Sequence, residues 1–234
     1  MRQMLWLAGI VLLLTVAMNA AVTKSQTNGL RAAAILLDQI HQAPDSDFPN
    51  DLFEKAQCVA VFPSVKKAAF VLGGEYGKGV MSCRRGADWS APAFMMLEKG
   101  SVGFQIGGQQ IDLVLLIMND HGVNLLLRDK VALGGEASAA AGSVGHDARK
   151  LTDVQLKAEI LSYSRSQGVF VGVDLSGGVI RPDADDNRDL YGADVTPREI
   201  LVTKRVTTPA EADGFVAALR RNVLLSKPAA LAVQ

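Results

Sequence analysis

Residues Phe53–Arg85 read FEKAQCVAVFPSVKKAAFVLGGEYGKGVMSCRR, and the fold turns on how this stretch is divided. Three apolar runs, Cys58–Phe62, Ala69–Leu72 and Val80–Cys83, are separated by the turn-forming clusters Pro63–Lys67 and Gly73–Gly79. Short β-branched and apolar runs bounded by Pro, Gly and Lys predict consecutive strands of an antiparallel meander. In the first run both residue parities are apolar, Cys58, Ala60 and Phe62 against Val59 and Val61. Such strands are covered on both faces. Cys58 and Cys83 are the 2 cysteines of the chain. In a simple meander they fall on the first and third strands, roughly 9.5 Å apart and beyond disulfide reach. The favoured expectation is therefore two small buried hydrophobes.

Around this stretch the composition is that of one globular domain. The 234 residues carry 24 Lys and Arg against 24 Asp and Glu. A net charge of zero leaves no electrostatic footprint for nucleic acid. Hydrophobic residues at 49% with 22 glycines predict a β-rich globular chain and exclude a disordered one. Met1–Ala21 carries one charge, Arg2, followed by LWLAGIVLLLTVAMNAA, the pattern of a secretory signal peptide. An uncleaved N-terminal anchor is the alternative, because Gln3–Thr23 gives 21 uncharged residues, near the length a bilayer requires. Either reading predicts export, to the periplasm or the periplasmic face of a membrane for a bacterial source. The organisation expected is a leader over 1–21, a domain over 27–225 and a loose tail over 226–234.

Along the chain, Thr27–Gln42 places Leu30, Ala33, Ala34, Leu37 and His41 at helical spacing. Packing on a sheet is favoured over a membrane-surface role, since Arg31 is its only basic residue. Ala91–Leu97, Gly100–Gly108 and Gln110–Met118 read as strands, the last apolar on both faces and central. Asn119–Arg128 reads as a turn and a short helix, and Val131–Ala141 as a strand of small residues. Ile160–Tyr163 and Val169–Leu175 form a further pair, and Asp183–Tyr191 a short helix or loop. Thr196-Pro197-Arg198-Glu199 and Thr208-Pro209-Ala210-Glu211 both match a capping box with Pro at the first helical position. The second opens a last helix with Ala212, Phe215, Val216, Leu219 and Val223 on one stripe.

Motifs that could carry chemistry each have a plainer explanation. Gly73–Gly79 (GGEYGKG) is one residue short of a phosphate loop and lacks its magnesium-binding hydroxyl, so it reads as a hairpin turn. Asp183, Asp185, Asn187, Asp189 and Asp194 follow calcium-loop spacing, but Arg188 occupies the required glycine position. Helix capping by Asp183 is favoured there. Ser143, His146 and Asp147 lack the strand–turn–helix context of a nucleophile, and His41 and His121 lack a metal-ligand pattern. No catalytic residue, metal or cofactor is expected.

Taken together, the Phe53–Arg85 stretch, LGGEASAAAGSVG (133–145) and ILSYSRSQGVFVGVDLSGGVIRPDADDNRDLYG (160–192) resemble the SYLF domain family. That family is also known for the yeast actin-binding and Las17-binding regulators, and the resemblance runs in order from Gly29 to Arg221. It implies a non-enzymatic role, with binding of membrane phosphoinositides and, in some members, of actin filaments. Carried over by position, it implies a lipid-facing role for Arg31 and for Lys66 and Lys67, the basic pair after Phe62-Pro63-Ser64.

These readings converge on an α+β fold, a large curved, mainly antiparallel, barrel-like sheet with helices at both ends and short helices between strands. The leading functional expectation is a non-enzymatic module binding anionic lipid or a membrane surface in the cell envelope. The alternative is a protein-interaction or scaffold domain related to actin-binding regulators, with an envelope protein as partner and no lipid ligand. Arg31, Lys66, Lys67, Lys78, Arg84 and Arg85 are the lipid-contact candidates, each near-surface cation contributing around 1 kcal/mol. Ordinary edge-strand protection explains the lysines equally well.

Overall fold

The computed structural model describes residues 22–40, 48, 50–70, 72–102, 107–142, 157–166, 169–203 and 205–226. The opening stretch forms two strands, not three. Strand β1 (Cys58–Phe70) and strand β2 (Leu72–Arg85) pair as one long antiparallel hairpin, from Cys58↔Cys83 down to Phe70↔Leu72. Pro63–Lys67 is not a turn: the register shifts there against both neighbours of β1, which is a β-bulge. Its pivot is Ser64, at φ 60, whose N–H donates to Asp112 Oδ1 at 2.9 Å. Nor is Gly73–Gly79 a turn; all of it lies within β2. Gly77 and Gly79 make room for the bulky residues of β1. A Cβ on them would stand 2.6 Å from Val65 Cγ2 and 2.4 Å from Phe62 Cδ1.

The cysteine expectation is corrected by the same observation. With the glycines inside a strand, Cys58 and Cys83 sit on adjacent strands, directly opposite each other, with Cα atoms 4.0 Å apart and a disulfide between them.

The remaining strands are β3 (Asp88–Trp89), β4 (Ala93–Val102), β5 (Gly107–Ile117), β6 (Val131–Ala132), β7 (Ala139–Ala141), β8 (Ile160–Ser166), β9 (Val169–Gly172) and β10 (Gly178–Pro182). They build a 10-stranded sheet in the order β6-β10-β4-β2-β1-β5-β8-β7, with β3 on β2 and β9 on β8. Pairing is antiparallel except between β7 and β8. The stretch read as one small-residue strand, Val131–Ala141, is instead β6 and β7 at opposite ends of this order. Residues 133–138 connect them, with Leu133 bridging Ala137. The sheet is strongly curled and barrel-like as a result.

Both faces of the sheet are buried, which accounts for the apolar residues of both parities. Val59, Val61, Val80, Val114 and Leu116 face helix α1 (Lys24–Ile40) and the last helix, α6 (Asp213–Ser226). Ala60, Phe62, Met81, Leu113 and Leu115 belong to a second core, shared with α3 (Asp120–Leu126) and α5 (Pro197–Leu201). Helices α2 (Asn50–Lys55) and α4 (Ala184–Tyr191) lie beside these among the described residues.

Helix ends follow local chemistry. Helix α1 begins a turn before the expected Thr27, because Thr23 and Gln26 cap one another: Gln26 N–H donates to Thr23 Oγ1 and Thr23 N–H to Gln26 Oε1. The capping box of Thr196 and Glu199 forms as expected at α5. The one at Thr208 does not, because Pro209 takes the cap position of a short 3-10 turn, Ala210–Ala212, that runs into α6. Helix α1 packs along both that turn and α6, and Asp38 reaches Arg221 at 2.8 Å, so the two helices run in the same direction.

Candidate interaction cleft

Helix α1 covers the sheet only as far as Val80 and Phe94. Past that point the hairpin continues, and a cleft of about 330 Å³ opens between α1 and the bulged part of β1 and β2. Small residues on α1, Ser25, Gly29 and Ala32, form one wall. Val80 and Phe94 supply an apolar floor, and Ser64, Lys66 and Tyr76 the outer rim. The bulge shapes that rim. By adding a residue to β1 after Phe62 it turns Lys66 onto the same face as Tyr76, its cross-strand partner.

The inner end of the cleft is closed by a charge network. Lys78 Nζ lies 2.8 Å from Asp183 Oδ2 and 2.8 Å from Asp186 Oδ2. Asp183 is 3% exposed and caps α4, accepting from Asp186 N–H with its other oxygen. Gln26 of α1 donates to Asp186 Oδ1 and to its backbone carbonyl, so α1, β2 and α4 meet at one point. Burial opposes ionisation of both groups, but the mutual hydrogen bonds outweigh it. Lys78 is held above the usual ammonium range and Asp183 below the usual carboxylate range.

The six sequence candidates fare differently. Arg31 is exposed on α1, on the side facing α6. Lys66 is exposed at the cleft rim and has no ion-pair partner among the described residues. Lys67 stands in β1 opposite Glu75 and Gln109; its side chain lies outside the described residues. Lys78 is held by the two aspartates. Arg84 donates to the carbonyls of Ala56 and Phe53 at 2.9 and 3.0 Å and stacks over Trp89. Arg85 donates to the carbonyls of Val202 and Ile200. Edge protection does not account for the lysines, because β1 and β2 lie inside the sheet, flanked by β5 and β4. Tyr76 and Ser64 went unnoticed in the sequence. The alternation of Tyr76, Lys78 and Val80 was the available signal, hidden by the glycines between them.

Other motifs are also placed. Asp183 is a helix cap, and Asp185, Asn187 and Asp189 lie on α4; Asn187 is buried and bonds both backbone groups of Phe94. No group of three His, Cys, Asp or Glu residues able to hold a metal occurs among the described residues. His121 pairs with Glu159, which also accepts from Ser138 N–H at 2.7 Å. His41, Ser143, His146, Asp147, residues 1–21, where a leader was expected, and residues 227–234 lie outside the described residues. None of the described helices is long and apolar enough to cross a membrane.

Fold and cleft together define an α+β domain of curled-sheet type whose recognisable feature is a surface cleft beside its first helix. Residues 98–222, from β4 to α6, match the family described as "Ysc84: Las17-binding protein actin regulator", and the chain belongs to that family. Among similar proteins, the SH3 domain-containing protein PJ696.02 of Schizosaccharomyces pombe is 34% identical over 167 residues, covering 70% of this chain and 39% of that protein. The SH3 domain-containing YSC84-like protein 1 of Xenopus laevis is 28% identical over 202 residues, 83% of this chain and 60% of its own. LAS seventeen-binding protein 3 of Saccharomyces cerevisiae is 28% identical over 214 residues, 88% and 46% respectively. The chain spans between about two-fifths and three-fifths of the curated relatives it matches. The family description and these names speak of binding and regulation, not of catalysis. They also overturn the expected export to a periplasm: the relatives belong to eukaryotes, whose cells have none, and the family is one of actin regulators.

Proposed function

We propose that this chain is a non-enzymatic protein-interaction domain that engages a partner through the cleft between α1 and the β1–β2 hairpin. One observation carries the reading: Lys66 and Tyr76 stand exposed side by side in the middle of the sheet, over an apolar floor. An interior strand has no edge to protect, and aromatic residues with a neighbouring cation are typical anchors of interfaces. The names of the relatives, which include a Las17-binding protein, support the same reading. The test is affinity capture from extract of the source cells with wild-type domain and with Gly29→Leu. Gly29 lines the cleft and a Cβ there meets nothing within 4 Å, so a larger side chain is expected to occupy the space, with the fold of the variant checked by its thermal midpoint. A partner captured equally by both proteins would remove the cleft from the function.

A second reading, attachment to anionic lipid, is favoured by a separate feature. Arg31 and Ile35 lie one turn apart on α1, and Ile35 is 51% exposed. A cation beside a bare aliphatic side chain suits a membrane surface, although one or two cations give only weak, salt-sensitive attachment. Flotation with phosphatidylserine vesicles at low salt tests it. Recovery of the domain wholly in the unbound fraction would exclude this reading.

A further inference from the structure

Resting on the interaction reading, we infer that the cleft takes a singly charged anchor of an extended partner segment, an aromatic or aliphatic side chain over Val80 and Phe94 with one adjacent carboxylate on Lys66. The charge count along the cleft sets the number of carboxylates. Of its two lysines, Lys78 is neutralised by Asp183 and Asp186. Lys66 is not paired among the described residues. The nearest acid on the same face of β5, Asp112, is taken up by Ser64 N–H at 2.9 Å and by Arg165 at 3.7 Å. One cation is therefore available, at the rim, for one anion. A second anionic group further in would meet Asp186, so a polyphosphorylated head group is a poor occupant.

Shape sets the other half of the anchor. The wall is built of small residues and the floor of Val80 and Phe94, with the Tyr76 ring, 43% exposed, standing at the mouth. About 330 Å³ lies at the small end of ligand clefts. That space suits a single large side chain and its flanking backbone, not a helix or a folded loop. Ser64, exposed at the rim, offers its hydroxyl beside it for the backbone of an extended segment.

The experiment titrates the full chain with N-acetyltryptophan, with its neutral amide, and with a water-soluble phosphatidylinositol bisphosphate, following backbone amide shifts of Gly29, Tyr76 and Gly77. The acid is expected to bind about tenfold more tightly than the amide, through a charge-assisted bond to Lys66. Lys66→Gln equalises the two, and Gly29→Leu abolishes both. Equal binding of acid and amide to the wild-type protein, indifference to Lys66→Gln, or preferential binding of the bisphosphate at these same amides would each overturn the inference. Partner capture that stays sensitive to Gly29→Leu while acid and amide bind alike would sink this inference and leave the interaction reading standing.

Discussion

Ser64 shows how a single backbone angle shapes the cleft. At φ 60 it occupies the left-handed region, where a non-glycine residue is strained by roughly 1 kcal/mol, and Asp112 holds it there. Ser64→Gly removes that strain but loosens the unfolded chain, so its stability is expected within about 0.5 kcal/mol of wild type. Ser64→Val, β-branched at the same angle, is expected to lose about 1–2 kcal/mol in urea denaturation. The second residue-scale test is Asp183→Asn, which keeps a competent helix cap but removes the charge facing Lys78. Because the Lys78 side chain is 46% exposed, screening limits the expected loss at pH 7 to about 1 kcal/mol. The folded-state pKa of Asp183 is depressed, so its contribution is present above the ordinary aspartate pKa and disappears as pH falls through the folded value. Melting curves of wild type and variant are therefore expected to differ at pH 7 and to converge in strong acid. A gap that persists there would mean the lost interaction is not the ion pair. Asp183 is legible in the sequence as a helix cap, but its pairing with Lys78, 105 positions away in the numbering, is not, and Ser64 sits in a Pro-Ser pair that reads as a turn.

Among the elements, helix α1 was the most legible, since Leu30, Ala33 and Leu37 recur at helical spacing and are buried in the observed fold. Its start was missed by a turn because the Thr23–Gln26 box lies directly after the uncharged apolar run that begins at Gln3. The hairpin was the least legible. Gly77 and Gly79 are there to admit Val65 and Phe62, yet glycine in sequence speaks first of turns. That misreading separated Cys58 from Cys83 by a strand and hid their bond. Replacing both cysteines with alanine is expected to cost about 2–4 kcal/mol in chemical denaturation while leaving the fold intact, because β5 and β4 still flank the hairpin. An unchanged midpoint would show that the bond contributes nothing to stability. Conversely, Gly29→Ala in α1 is expected to raise stability by up to about 1 kcal/mol, read from the thermal midpoint, since its Cβ enters open space.

At the scale of the molecule, the doubly covered sheet followed from apolar residues on both parities of the strands, and the α+β class from helical spacing at both ends of the chain. The order of the strands did not. Strand β10 adds to β4 across most of the domain, and β6 and β7, contiguous in sequence, end up at the two extremes of the path. Such pairings are decided by long-range packing, which local periodicity does not encode. The candidate cleft shares that origin, drawing α1, the hairpin and α4 together from distant parts of the chain. The parallel packing of α1 on α6 carries a mechanical corollary. The polypeptide enters this helix pair at one end and leaves it at the other, about 21 Å away along the 14 residues of α6. Tension applied through the two termini would thus load the pair lengthwise, in shear across its whole buried seam and the Asp38–Arg221 clasp, and not unzip it contact by contact.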